Sequence, residues 1–232
     1  MTKSELLKIS KPILFNTEMV RAILEGRKTV TRRVIKPKLR DGEYGFNVWY
    51  NEITGNHVVE KYDEDENSFC PTRYVNPPYS VGDILYVRET FNDIETDTIL
   101  YAADEEFIDF GCKRVDDYLF MESEIKWKPS IHMPKSAARI FLRITDVRVE
   151  RLQDITEEQA IKEGVEGIPC DCKNLDSYGS CEDCCNYGWW EPPVLDFHYV
   201  WDHTIKKQDL DRYGWQANPW VWVYEFERME EE

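Results

Sequence analysis

The chain has 232 residues, 42% of them hydrophobic and 32% charged, which excludes intrinsic disorder and removes any need for a metal or disulfide merely to fold. Asp and Glu outnumber Lys and Arg by 45 to 29, a formal net charge of −16, and that balance argues against tight, sequence-independent binding to duplex DNA. The longest apolar runs, such as residues 219–226, are too short to cross a bilayer, and residues 1–15 lack the apolar stretch of a secretory leader, so a cytoplasmic protein with no membrane partner is expected.

In chain order, Ile13 to Phe15 form a short apolar run, and Asn16 then offers an N-cap. Val20, Ile23 and Leu24 recur at helical spacing until Gly26, so a short helix is predicted there. Thr29 to Val34 is β-branched and reads as a strand stopped by Pro37. Residues 41–80 read as an insertion holding a β-hairpin, with strands 46–50 and 57–62. Val81-Gly82-Asp83 is a turn and Ile84 to Val87 a buried strand. Residues 92–125 are a second, acidic insertion with one strand near 98–102. A long alternating strand is predicted over 138–152, and Thr156 with Gln159 makes a capping box for a helix ended by Gly164. A helix over 197–205, with Leu195, Tyr199 and Trp201 as core candidates, and a terminal strand over 219–227 complete the reading. Strands joined by hairpins and short helices point to a mixed α+β protein, not a doubly wound parallel sheet.

Five of the seven cysteines (Cys170, Cys172, Cys181, Cys184 and Cys185) crowd into sixteen residues. An odd total and this clustering favour a metal site over a disulfide scaffold. Cys181-x-x-Cys184 has the spacing of half a zinc knuckle and Cys170-x-Cys172 supplies a second pair, with Cys185 as an alternative ligand. Four thiolates would close a structural zinc site with no position left for catalysis. Chelation is then expected to loosen residues 167–193 and leave the remainder folded.

Two stretches are basic without an acid: 27–40, with seven basic residues, and 126–143, with five. On an acidic body they would guide an anion to one face. In an extended strand Thr31 and Arg33 share a face, and a turn over 26–29 would bring Lys28 beside Thr31. A lysine next to a hydroxyl can activate it as a nucleophile, and Arg32 and Arg33 can supply positive charge or bind phosphate. Trp127, between Lys126 and Lys128, is a base-stacking candidate, and Glu89, just past the strand at 84–87, is placed to enter a cleft. Core packing and an ordinary ion pair are the competing accounts of these two.

The octapeptide GRKTVTRR at 26–33 resembles the GxKxx(E/T)xR signature of the ASCH superfamily, and Val81-Gly82-Asp83-Ile84-Leu85 resembles its VGDxL strand. The likeness covers blocks 11–40, 80–91, 137–166 and 195–228, and leaves out insertions 41–80, 92–125 and 167–193. Its pattern is similar to ASCH proteins encoded by bacteriophages and prophages, in which case the cytoplasm is the host's. The resemblance implies a single PUA-like mixed β-barrel over 1–232, with flanking short helices and three insertions. It further implies a basic cleft for RNA, single-stranded nucleic acid, or a nucleoside or nucleotide, lined by Arg27, Arg32, Arg33, Glu89 and Trp127. One branch of the superfamily hydrolyses N4-acetylcytidine. Its lysine, threonine and glutamate correspond to Lys28, Thr31 and Glu163, with Lys28 activating Thr31, Glu163 relaying the proton and Arg33 steadying the anionic centre. Ribonuclease activity and a phage assembly or interaction role are the remaining alternatives.

Overall fold

Thr2 and Glu5 open the first helix, α1 (Lys3–Ile9), where the Glu5 carboxylate accepts the Thr2 N–H at 2.9 Å and Leu6 supplies the buried face. This computed structural model describes residues 1–36, 43–51, 56–63, 73–74, 76–93, 99–104, 107–108, 112–115, 118–121, 125–169 and 189–230. After β1 (Lys11–Leu14), Asn16 caps α2 (Thr17–Leu24), its side-chain oxygen accepting the Met19 N–H at 2.8 Å. Val20 and Ile23, three apart, turn the same face inward. Gly26, at φ +77°, ends the helix in a conformation that costs glycine little. There follow β2 (Val30–Val34), then β3 (Glu43–Asn51), β4 (Asn56–Asp63) and β5 (Arg73–Tyr74). Next come β6 (Ile84–Arg88), β7 (Phe91–Asp93), β8 (Ile99–Tyr101), β9 (Phe107–Ile108), β10 (Cys112–Val115) and β11 (Tyr118–Met121). The long β12 (Phe141–Arg151) leads to α3 (Glu157–Lys162), β13 (Ile168–Pro169) and β14 (Trp189–Glu191). α4 (Pro193–Thr204), α5 (Leu210–Tyr213) and β15 (Trp220–Met229) close the chain.

The fold is α+β, with short helices and a mixed sheet. Hydrogen bonds order its strands β1-β6-β12-β15-β2, and among the described residues the ladder is open, with β1 and β2 at its ends and no barrel closed. The hairpin predicted near 46–62 is the β3–β4 ladder, with Val48 opposite Val59.

The chain divides into two compact units. The first comprises Met1–Thr29, Val81–Thr145 and Phe226–Glu232. In it β1 runs parallel to β6, with Ile13 opposite Val87, and β6 pairs antiparallel with β12, with Leu85 opposite Leu142. Leu6, Tyr86, Phe91, Met133, Ala137, Ala138 and Phe141 form one core cluster there. The acidic stretch expected to hold one strand is richer: β7 and β8 form a hairpin, and β9, β10 and β11 a small antiparallel sheet.

The second unit comprises Val30–Ser80 and Asp146–Glu225. In it β2 pairs antiparallel with β15, from Val30 opposite Glu225 to Val34 opposite Val221. One face of this pair, Val30, Val221 and Val223, packs with Leu152, Ile155 and Ala160 and with Phe197 and Trp201 of α4. Leu195 and Tyr199, predicted for the core, are 38% and 50% exposed. Phe197 and Trp201, four apart, take the inward face, and a residue two positions away points about 200° around the helix.

Candidate functional site

Alternation along β2 sorts its side chains. Arg32 joins Val30 on the face covered by α3 and α4, its guanidinium 6.0 Å from the Phe197 ring centroid, while Thr31 and Arg33 belong to the opposite face. The Arg32 side chain is 0% exposed and held by three acceptors: Glu163 Oε1 at 3.1 Å, Glu150 Oε2 at 3.0 Å and Gln159 Oε1 at 2.9 Å. Burying this charge is tolerable only because carboxylates and an amide oxygen surround it. Gln159 does double duty, since the same oxygen accepts the Thr156 N–H while Thr156 Oγ1 accepts the Gln159 N–H, each at 3.2 Å. Glu163 is the C-cap of α3, and Gly164 at φ +96° turns the chain away behind it. Glu150 also accepts from Arg148, which reaches Asp146 and Glu225 as well. A continuous charged network therefore ties α3 to β2, β12 and β15 within the second unit.

On the other face, Thr31 lies opposite Tyr224 and Arg33 opposite Trp222. Thr31 and Tyr224 are buried and Arg33 is half-buried. Tyr79, from the end of the segment leading to β6, meets the Tyr224 ring edge-on, with centroids 5.2 Å apart and planes at 68°. Burial pulls the Arg33 guanidinium down from its ordinary value, opposed by Glu163, Tyr79 and Tyr224. A guanidinium nonetheless stays charged at any physiological pH. Burial pushes the Tyr79 and Tyr224 phenols up, with Arg33 opposing in both. The result is a cation, two phenols and a hydroxyl gathered on the face of β2 away from α3. Such a set can hold a planar, polar, heteroatom-rich group.

Thr31, Arg32, Arg33 and Glu163 thus fall in the second unit, whereas Lys28, Arg27, Glu89 and Trp127 belong to the first. Lys28 is 2% exposed, donates its backbone N–H to Ala22 at 2.9 Å and holds its ammonium 5.6 Å from the Phe15 ring centroid. Arg27 pairs with Glu25 at 2.5 Å. Glu89 is buried in a two-pronged pair with Arg139, at 2.9 and 2.8 Å, and Arg139 also holds Asp104 and lies 3.8 Å from the Tyr101 ring centroid. Burial, only partly opposed by Arg139, raises the Glu89 carboxyl. Trp127 is half-buried, and its neighbour Lys128 is paired with Asp93.

The basic stretches are accordingly much less open than their composition suggests. Arg27 and Arg32 have acidic partners and Lys28 is buried, and in the second stretch Lys128, Arg139 and Arg143 are all paired with carboxylates. Cys170, Cys172, Cys181, Cys184 and the alternative ligand Cys185 lie outside the described residues. Among the described residues no group of three His, Cys, Asp or Glu could hold a metal, and no helix is long and apolar enough to cross a membrane.

Sequence reasoning missed Tyr79, Tyr224, Glu150 and Gln159 as neighbours of the predicted residues. Alternation in the terminal strand was the available signal for Tyr224, and the capping box already marked Gln159. Nothing local marks Tyr79, which reaches Tyr224 from 145 positions away in the chain. No family model, curated protein or solved structure matches the chain.

Proposed function

We propose that the chain is an ASCH-superfamily module with a PUA-like core that binds a nucleoside, a nucleotide or a short single-stranded stretch of RNA at the Thr31–Arg33 strand. The observation that carries this reading is the gathering of Arg33, Thr31, Tyr224 and Tyr79 on one face of the β2–β15 pair within one unit. The guanidinium offers a rigid fork of donors, Thr31 a hydroxyl, and the aromatic rings a surface for a flat base. Internal pairing of the basic stretches favours a small ligand over a long phosphate backbone. Calorimetric titration with cytidine, CMP and a short cytidine-rich RNA tests it. Arg33→Gln is expected to weaken binding at least tenfold, and Arg33→Lys, which keeps the charge, to weaken it less. Absence of binding by the unaltered chain to all three would overturn the reading.

A second reading, deacetylation of N4-acetylcytidine or a related acylated nucleoside, draws on the near-complete burial of Lys28 and on Thr31 three residues later. In it Thr31 Oγ bonds to the acetyl carbon as its proton leaves to a base, the C–N bond breaks, and the proton passes to the leaving amine, with the roles of base and relay carried to Lys28 and Glu163 by the resemblance alone. Water then releases acetate. Turnover lost in Thr31→Ala and in Lys28→Ala would place the chain in this class; no turnover would leave it a binding module. Spacing alone supports structural zinc at Cys170, Cys172, Cys181 and Cys184, which metal analysis of the purified chain would detect. A cytoplasmic location accompanies either reading.

A further inference from the structure

Tyr79 closes the segment 41–80, behind Pro77 and Pro78, whose rings fix their own backbone φ and stiffen the approach. Its ring packs edge-on against Tyr224, which is fully buried and stands across the ladder from Thr31. Tyr79 itself is half-buried, so part of it remains at the surface while its phenol lies within electrostatic reach of Arg33. An aromatic ring held edge-on against another, buried ring is pre-organised. It gives up little rotamer freedom when a flat group is laid on it.

We infer that Tyr79 is a ligand-contacting, specificity-determining residue of this site, stacking on the planar ring of the ligand beside Arg33; the inference rests on the nucleotide-binding reading above. The residue comes from outside the blocks that resemble the ASCH pattern. Selection of the ligand's flat moiety is therefore a property of this chain's own insertion. The chemical class selected is a heteroaromatic ring carrying polar edge atoms.

The test uses the full chain, with CMP as the probe, followed by calorimetry. Tyr79→Phe and Tyr79→Trp keep a ring and are expected to bind within threefold of the unaltered chain. Tyr79→Leu and Tyr79→Met remove it and are expected to bind at least tenfold more weakly. Each variant is compared at an unchanged far-ultraviolet circular dichroism spectrum, and Met serves if Leu does not fold. If the unaltered chain binds CMP and the ring-less variants bind it equally well, the inference fails while the reading of the site stands. If Phe loses as much as Leu, the hydroxyl and not the ring makes the contact, and stacking is overturned. If the unaltered chain does not bind CMP, the reading fails and the inference with it.

Discussion

Arg32 shows how far a single side chain can be committed. With three acceptors within 3.1 Å and a side chain 0% exposed, it is a clasp between β2 and α3, not a ligand arm. Arg32→Met would remove the cation shared by Glu163, Glu150 and Gln159 and leave their acceptors buried, a loss of about 3 kcal/mol. The double variant Arg32→Met/Glu163→Gln is expected to recover part of that loss, a non-additivity that urea unfolding of both singles and the double would measure. Additive losses would mean that the two are not coupled. The phenols carry a second residue-level consequence. Tyr79, Tyr101 and Tyr224 are all raised, with burial as the leading cause in each. An unfolded phenol ionises near pH 10, so above that value the native state binds more protons than the unfolded one and stability falls with rising pH. The stabilisation is complete below about pH 10 and is lost as pH climbs through the raised native values. Urea midpoints from pH 8 to 11 are expected to decline at the alkaline end, and Tyr224→Phe to flatten that decline; an identical slope in the variant would remove Tyr224 from the set.

Helix α3 spans six residues, too few to persist without tertiary support, yet it carries both Gln159 and Glu163 to Arg32. Its capping box is therefore part of the site's framework. Thr156→Ala should cost about 1 kcal/mol, read as a lower urea midpoint, and should weaken CMP binding in step if Glu163 moves with the helix. Lost stability with unchanged binding would separate cap from site. This box, the Asn16 cap and the alternating strands were legible in the sequence because each is a local signal, set by residues within a few positions. Helix α1 carries the same kind of signal, Thr2-x-x-Glu5, but so short an amphipathic run has little periodicity to mark it as a helix. Leu195 and Tyr199 read as core by residue type, but Pro193, Phe197 and Trp201 form the buried stripe of α4, a phase that composition does not specify. The candidate site was half legible. Lys28, Thr31, Arg33 and Glu163 stand out as residue types, but the fate of Arg32 depended on which face of β2 meets α3, and Tyr79 is brought in by a long-range approach.

Over the whole molecule, the decisive quantity is how many cations remain for a partner once internal pairs are formed. The chain carries a net charge of −16, so a polyanion approaches against the general field. Of the first basic stretch, Arg27 and Arg32 are paired with carboxylates and Lys28 is buried, while Arg33 is half-buried and Lys36 is exposed with its ammonium 4.5 Å from the Tyr213 ring centroid. Among the described residues of that stretch Lys36 is exposed, and the binding reading adds Arg33, so one or two phosphate contacts are expected. Single-strand binding releases about 0.7 counterions for each phosphate neutralised. A plot of log affinity against log salt for a short RNA should therefore fall with a slope of roughly −0.7 to −1.4. Titrations between 50 and 200 mM salt would read it, about a three- to sevenfold loss across the range. Arg33→Gln should take away about 0.7 of that slope, whereas Tyr79→Leu should lower affinity at every salt concentration and leave the slope alone. A slope steeper than about −3 would require at least four neutralised phosphates. It would turn the reading from a nucleotide-sized ligand toward an extended nucleic-acid track.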